Sequence, residues 1–136
     1  MKEKFMRGTR KIASVVALSV ASFGLSIAAA TVAAADPAGC EATKTTVGLT
    51  DNGRVYGEGF GSCDITALRY FRAEVKWDKA FSPDPLVASR TVSGRTNWHG
   101  YVATCDNGNT RGYYGRTFWT TGSDYHDSAP RDIRAC

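Results

Sequence analysis

LRYFRAEVKWD, residues 68–78, alternates without a break from Tyr70 onward. Phe71, Ala73, Val75 and Trp77 fall on one side of a pleated strand, and Tyr70, Arg72, Glu74, Lys76 and Asp78 fall on the other. One apolar face and one charged face at period two describe a half-buried antiparallel strand. A helix capped by Asp64, with Leu68, Phe71 and Val75 turned inward, is the competing reading, because Ala, Leu, Arg, Glu and Lys all suit a helix. The alternation and the aromatic residues, which sit well on a pleated surface, make the strand the expectation.

The flanking segments read the same way. Thr43–Thr50 (TKTTVGLT) is β-prone, Asp51-Asn52-Gly53 is a hairpin turn, and Arg54–Phe60 is the returning strand. Gly57, Gly59 and Gly61 in and after that strand point to a bulge or to close backbone approach. Ala80–Pro85 (AFSPDP) is a loop, Leu86–Ser93 a strand and Gly94–Asn97 a turn. Trp98–Cys105 and Thr110–Thr121 flank a second hairpin turn at Asp106–Asn109. Asp36–Glu41 is a short polar lead, and Gly122–Ala135 is a polar tail held only by Cys136. About six strands in one domain predict an all-β fold: a small antiparallel β-sandwich, either Ig-like or a partly open barrel.

Residues 1–35 carry the pattern of a secretory leader. Lys2, Lys4, Arg7, Arg10 and Lys11 precede an uncharged run from Ile12 that ends in Ala33-Ala34-Ala35. An uncleaved membrane anchor is the alternative, but the run is rich in Ala and only modestly hydrophobic. Removal of the leader leaves residues 36–136 as one extracellular domain. It also removes five of the seventeen basic residues and one of the thirteen acids, so twelve of each remain. The mature chain is formally neutral, and its charge gives no reason to expect nucleic acid or an anionic membrane as partner.

Export places Cys40, Cys63, Cys105 and Cys136 in an oxidising compartment. A hairpin centred on Asn52 pairs residues equidistant from it; Cys40 lies twelve before and Cys63 eleven after, which brings them together. Cys105 sits at the mouth of the second turn, and the tail is long enough to return Cys136 to it. The expected bridges are Cys40–Cys63 and Cys105–Cys136. No Cys-x-x-Cys pair is present, and neither a metal nor a cofactor is expected.

Residues for catalysis are few: the mature chain has His99, His126, Glu41, Glu58 and Glu74, with no Gly-x-Ser-x-Gly elbow and no phosphate-binding glycine loop. Glu74 as base, His126 as acid and Arg90 or Arg95 for phosphate make up the residue types of metal-free RNA cleavage. Their order resembles small secreted guanyl-specific ribonucleases, although no motif is matched. The simpler reading puts Glu74 on a charged, solvated face between Arg72 and Lys76. Thirteen aromatic residues cannot all face inward on alternating strands. Tyr113, Tyr114, Arg116, Trp119 and Trp98 are therefore the candidate interface residues, unless the tail covers them.

The Ala-rich leader, Tyr56-Gly57-Glu58-Gly59-Phe60-Gly61-Ser62-Cys63, and Cys105-Asp106-Asn107-Gly108-Asn109 before an aromatic strand resemble small secreted actinobacterial proteins. Among these, the chain is similar to the small adaptor subunit of umbrella toxin particles. That resemblance implies a non-enzymatic role, linking other secreted subunits. The expectation is a secreted adaptor whose partner is another exported protein, engaged by exposed aromatics, by strand addition at a sheet edge, or by the lead Asp36–Gly39 as an insertion arm. A ribonuclease-like toxin, a protease inhibitor using Phe81–Pro85, and a carbohydrate or cell-wall binder are the alternatives.

Overall fold

The computed structural model of the chain describes residues 35–43 and 45–136. The expected leader falls outside the described residues, apart from Ala35. The strands are β1 (Cys40–Ala42), β2 (Thr46–Leu49), β3 (Val55–Cys63), β4 (Arg69–Trp77), β5 (Leu86–Gly94), β6 (Asn97–Thr104), β7 (Thr110–Trp119), β8 (His126–Asp127) and β9 (Arg131–Arg134). No helix occurs among the described residues. Residues 69–77 form the strand and not the helix because three alternate side chains, Phe71, Ala73 and Val75, are all fully buried. Helical spacing cannot place all three on one buried stripe.

The strands form two antiparallel sheets stacked as a sandwich. In the first, β3 is central, with β6 on one edge and β1 and β2 end to end on the other. Cys40 lies opposite Cys63 and Thr46 opposite Glu58, so the register slips by one residue between β1 and β2. The second sheet runs β5-β4-β7, and its last edge is shared by β8 and β9. Each sheet therefore ends in a divided edge strand.

Two expectations need correction. The Asp106–Asn109 turn forms, with Asn107 and Gly108 at positive φ and the Asn109 N–H donating to the Asp106 carbonyl. It does not close a hairpin: β6 pairs with β3 and β7 pairs with β4, so the turn crosses from one sheet to the other. A tight turn reverses the chain but does not choose the strand's neighbour. Here Trp98 of β6 meets Trp119 of β7 edge-on across the sandwich, with ring centroids 4.5 Å apart. The tail, in turn, is not merely tied at its end. β8 and β9 both pair with β7, and Pro130 sits between them, where no ladder N–H is required.

The core has two clusters. Val47, Val55, Val75, Tyr113, Ile133 and Ala135 form one, and Phe71, Trp98 and Trp119 form the other. The backbones press together along β3. A Cβ on Gly57 would lie 2.5 Å from the Glu74 carbonyl oxygen, and one on Gly59 would lie 2.6 Å from Thr117 Cγ2. The glycines mark close approach; the β3–β6 ladder runs through all three without a break, while on the opposite side the register slips by one between Glu58 and Gly61.

Both expected bridges form, with Cα–Cα distances of 4.0 Å for Cys40–Cys63 and 4.7 Å for Cys105–Cys136. Cys136 N–H also donates to the Gly53 carbonyl, and Gly108 N–H donates to the Cys136 carbonyl. The loops span 23 and 31 residues, so each bridge contributes about 3–4 kcal/mol in the chain-entropy model. Replacing Cys105 and Cys136 together by Ser should lower unfolding free energy by about that amount in a urea titration. An unchanged midpoint would show that the tail is held without the bridge.

Candidate functional site

Period-two geometry makes one face of β3 the complement of the other. With Gly57, Gly59 and Gly61 against the second sheet, Tyr56, Glu58 and Phe60 must point outward. The antiparallel partner β6 sets His99 opposite Phe60 and Tyr101 opposite Glu58. The rings pack in pairs: Phe60 lies nearly parallel to His99 with centroids 4.6 Å apart, and Tyr56 stacks on Tyr101 at 5.6 Å. His99 Nε2 and Glu58 Oε1 are 2.6 Å apart, joining the two pairs. Phe60 is 46 % exposed, and just over half of the His99 side chain is accessible. One shallow cleft, lined by Thr46, Tyr56, Glu58, Ser128 and Arg131, borders this row. A second, lined by Arg54, Arg90 and Tyr101, lies on its other side. The result is a flat aromatic surface with one carboxylate–imidazole pair at its centre, able to take up apolar or ring groups and to exchange hydrogen bonds with them.

The residues considered for RNA cleavage are not brought together. Glu74 stands opposite Arg116, which stands opposite Asp127; Ala73 stands opposite Thr117, which stands opposite His126. Glu74 and His126 therefore point to opposite faces of the second sheet. Arg90 lies opposite Ala73, on the same row as His126 but three strands away, a span of about 14 Å at the usual strand spacing. Glu74 is engaged by Arg72 at 2.8 Å, and His126 by Asp36 at 2.8 Å.

The five candidate interface residues are also placed differently. Tyr113 and Trp119 are fully buried, and Trp98 and Tyr114 nearly so. Tyr113 and Trp119 face the sandwich interior, while Trp98 donates its indole N–H to the Arg69 carbonyl. Tyr114 and Arg116 face outward but are covered. The Tyr114 hydroxyl donates to Asp84, and Arg116 makes two 2.7 Å hydrogen bonds to Asp127. The Arg116 guanidinium also lies over Tyr125, 4.5 Å from its ring centre. The tail thus covers Tyr114 and Arg116 on the outer face of the second sheet, where Tyr70 and Tyr125 stay about half exposed, and the stacked aromatic row lies on the first.

The loop after β4 projects Phe81 entirely into solvent at a φ of 63°. Asp84 braces that loop by accepting from the Lys79 N–H and the Tyr114 hydroxyl, and these bonds hold its carboxyl below the usual carboxylate range. The lead Asp36–Gly39 is packed down: Asp36 accepts from the Ala42 N–H, and the Gly39 carbonyl accepts from the Asp64 N–H.

Tyr56, Glu58, Phe60, His99 and Tyr101 were not singled out as a site from the sequence. The signal was present in the strand Tyr56–Gly61: when glycine takes every second position, the large residues between share the opposite face. Comparison with protein-family models, with curated proteins and with solved structures gives no match for the chain.

Burial raises the Tyr113 and Tyr114 hydroxyls to about 12, and their hydrogen bonds to Asp106 and Asp84 act in the same direction. An unfolded chain releases these protons near pH 10, so it binds fewer than the fold between pH 10 and 12, and stability falls across that window. In an alkaline titration followed by tyrosinate absorbance, the two phenols should ionise last, and Tyr113→Phe and Tyr114→Phe should each remove one late step. Complete ionisation by pH 11 with the fold intact would contradict the assignment.

Proposed function

We propose that the protein is a secreted, non-catalytic binding module that engages another exported protein through the outer face of the β1/β2-β3-β6 sheet. The reading rests on one observation: β3 turns its glycines inward and its Tyr, Glu and Phe outward, against the usual arrangement of a sandwich strand. Large rings held in stacked pairs lose little freedom when a partner covers them, and aromatic residues are enriched in protein interfaces. The single Glu58–His99 pair supplies polar recognition in the middle of the row. The surface also ends at an open edge, since β6 pairs only with β3, and a partner strand added there would extend the same face. The two disulfides accord with an extracellular life. An adaptor role within a secreted toxin complex, the role implied by the resemblance to umbrella-particle adaptors, needs such a surface and no catalytic group.

Tagged protein recovered from culture supernatant should carry a defined protein partner. The Phe60→Ala/Tyr101→Ala double variant should lose it while keeping the parent's circular-dichroism spectrum. Tyr70→Ala, on the other sheet, should retain it. Capture that survives the double variant, or retention by polysaccharide in place of protein, would contradict the proposal.

A further inference from the structure

Asp36, Asp124 and His126 meet where the amino-terminal lead crosses the tail. His126 Nε2 lies 2.8 Å from Asp36 Oδ1 and 3.9 Å from Asp124 Oδ2. All three potential donor atoms lie within 4.8 Å of one another. A tetrahedral zinc ion with bonds of about 2.0–2.1 Å separates its ligand atoms by about 3.3 Å. The two observed distances bracket that value, so small side-chain rotations suffice to seat the ion.

Charge points the same way. Two carboxylates share one imidazole, and among the described residues neither has a Lys or Arg within ion-pair distance. With the imidazole neutral the group carries net negative charge, even beside the α-ammonium that removal of the leader would give Asp36. The Asp36 and His126 side chains keep only 14 % and 25 % of their accessible surface, so water screens that charge incompletely. Asp36 is also oriented: its Oδ2 accepts from the Ala42 N–H at 3.0 Å, which leaves Oδ1 turned to His126. Such outer hydrogen bonds fix the aim of metal ligands. A cleft lined by Ala42, Thr43, Tyr125 and His126 opens beside the group and leaves room for a water as fourth ligand.

We propose that Asp36, Asp124 and His126 bind one zinc ion, which clamps the lead to the tail. Imidazole with carboxylates suits a borderline divalent cation over calcium or magnesium, which take oxygen ligands in larger number. The site is separate from the aromatic face and independent of the function proposed for it. It brings together residues some ninety positions apart in the chain, and so leaves no spacing motif in the sequence.

Titration calorimetry of the secreted protein with zinc, after dialysis against a chelator, tests it. One ion should bind per chain. Asp124→Asn should weaken binding at least about tenfold, since even the loss of outer-sphere partners costs that much. His126→Ala should abolish binding. Among the described residues the Asp124 side chain makes no hydrogen bond and only approaches His126 at 3.9 Å, so its variant tests the site even if His126→Ala folds poorly. No zinc binding, binding unaltered in Asp124→Asn, or displacement of zinc by equimolar calcium would overturn the assignment.

Discussion

Backbone contact between the two sheets along β3 governs the rest of the molecule. Sheets stacked face to face usually lie about 10 Å apart, with interleaved side chains between them. Here Gly57 faces the Glu74 backbone directly and Gly59 leaves room only for the Thr117 side chain, and a single added carbon at either position would overlap the facing strand. Gly115 of β7 repeats the device from the other side, where a Cβ would lie 2.5 Å from the Thr46 carbonyl oxygen. Apolar side chains are consequently displaced to the two ends of the sandwich and form two small clusters. Each cluster is joined to a covalent bridge: Cys40–Cys63 packs against the tryptophan cluster, and Cys136 follows Ala135 of the valine–tyrosine cluster. For a domain of this size, two bridges worth about 3–4 kcal/mol each are comparable with the whole net stability of about 5–15 kcal/mol.

The same constraint shapes the surface. A strand that gives its inner positions to glycine has only outer positions left for Tyr56, Glu58 and Phe60. β6 answers with His99 and Tyr101, and the rings stack across the strands. The second sheet shows the opposite economy. Its outward residues Arg72, Glu74, Tyr114 and Arg116 are engaged by one another, by the tail and by the braced loop. The outer face of the second sheet is therefore largely taken up by its own contacts, although Tyr70 and Tyr125 stay exposed there, and the stacked row of Tyr56, Phe60, His99 and Tyr101 lies on the first.

Local pattern carried the fold. The alternation in Leu68–Asp78, the two turn sequences and the distances of the cysteines from Asn52 were legible, and they led to the all-β sandwich with both bridges. The tail strands were not legible, because β8 and β9 are two and four residues long and exist through pairing with β7. Which sheet received β6 and β7 was hidden as well, because that choice depends on contacts such as Trp98 with Trp119 that no turn specifies. The exposure of the candidate interface residues was misjudged for a related reason. Aromatic density drew attention to Thr110–Thr121, yet its inner face is buried in the sandwich and its outer face is partly covered by the tail. Phe60 and Tyr101 carry less aromatic neighbourhood in sequence, and only the facing of the glycines exposes them.

The claim that the β3 glycines set the sheet spacing, by leaving no room for side chains of their own, is most directly tested by a double-mutant cycle at Gly59 and Thr117. A Cβ at residue 59 collides chiefly with the Thr117 side chain, whose Cγ2 and Oγ1 would lie 2.6 Å and 2.8 Å away. Gly59→Ala alone should destabilise by about 1–3 kcal/mol through overpacking. In the Thr117→Ala background the same change should cost markedly less, with a coupling of about 1 kcal/mol or more. Strictly additive effects would contradict the account, because they would mean that the sheets have room at β3 that the glycines do not provide.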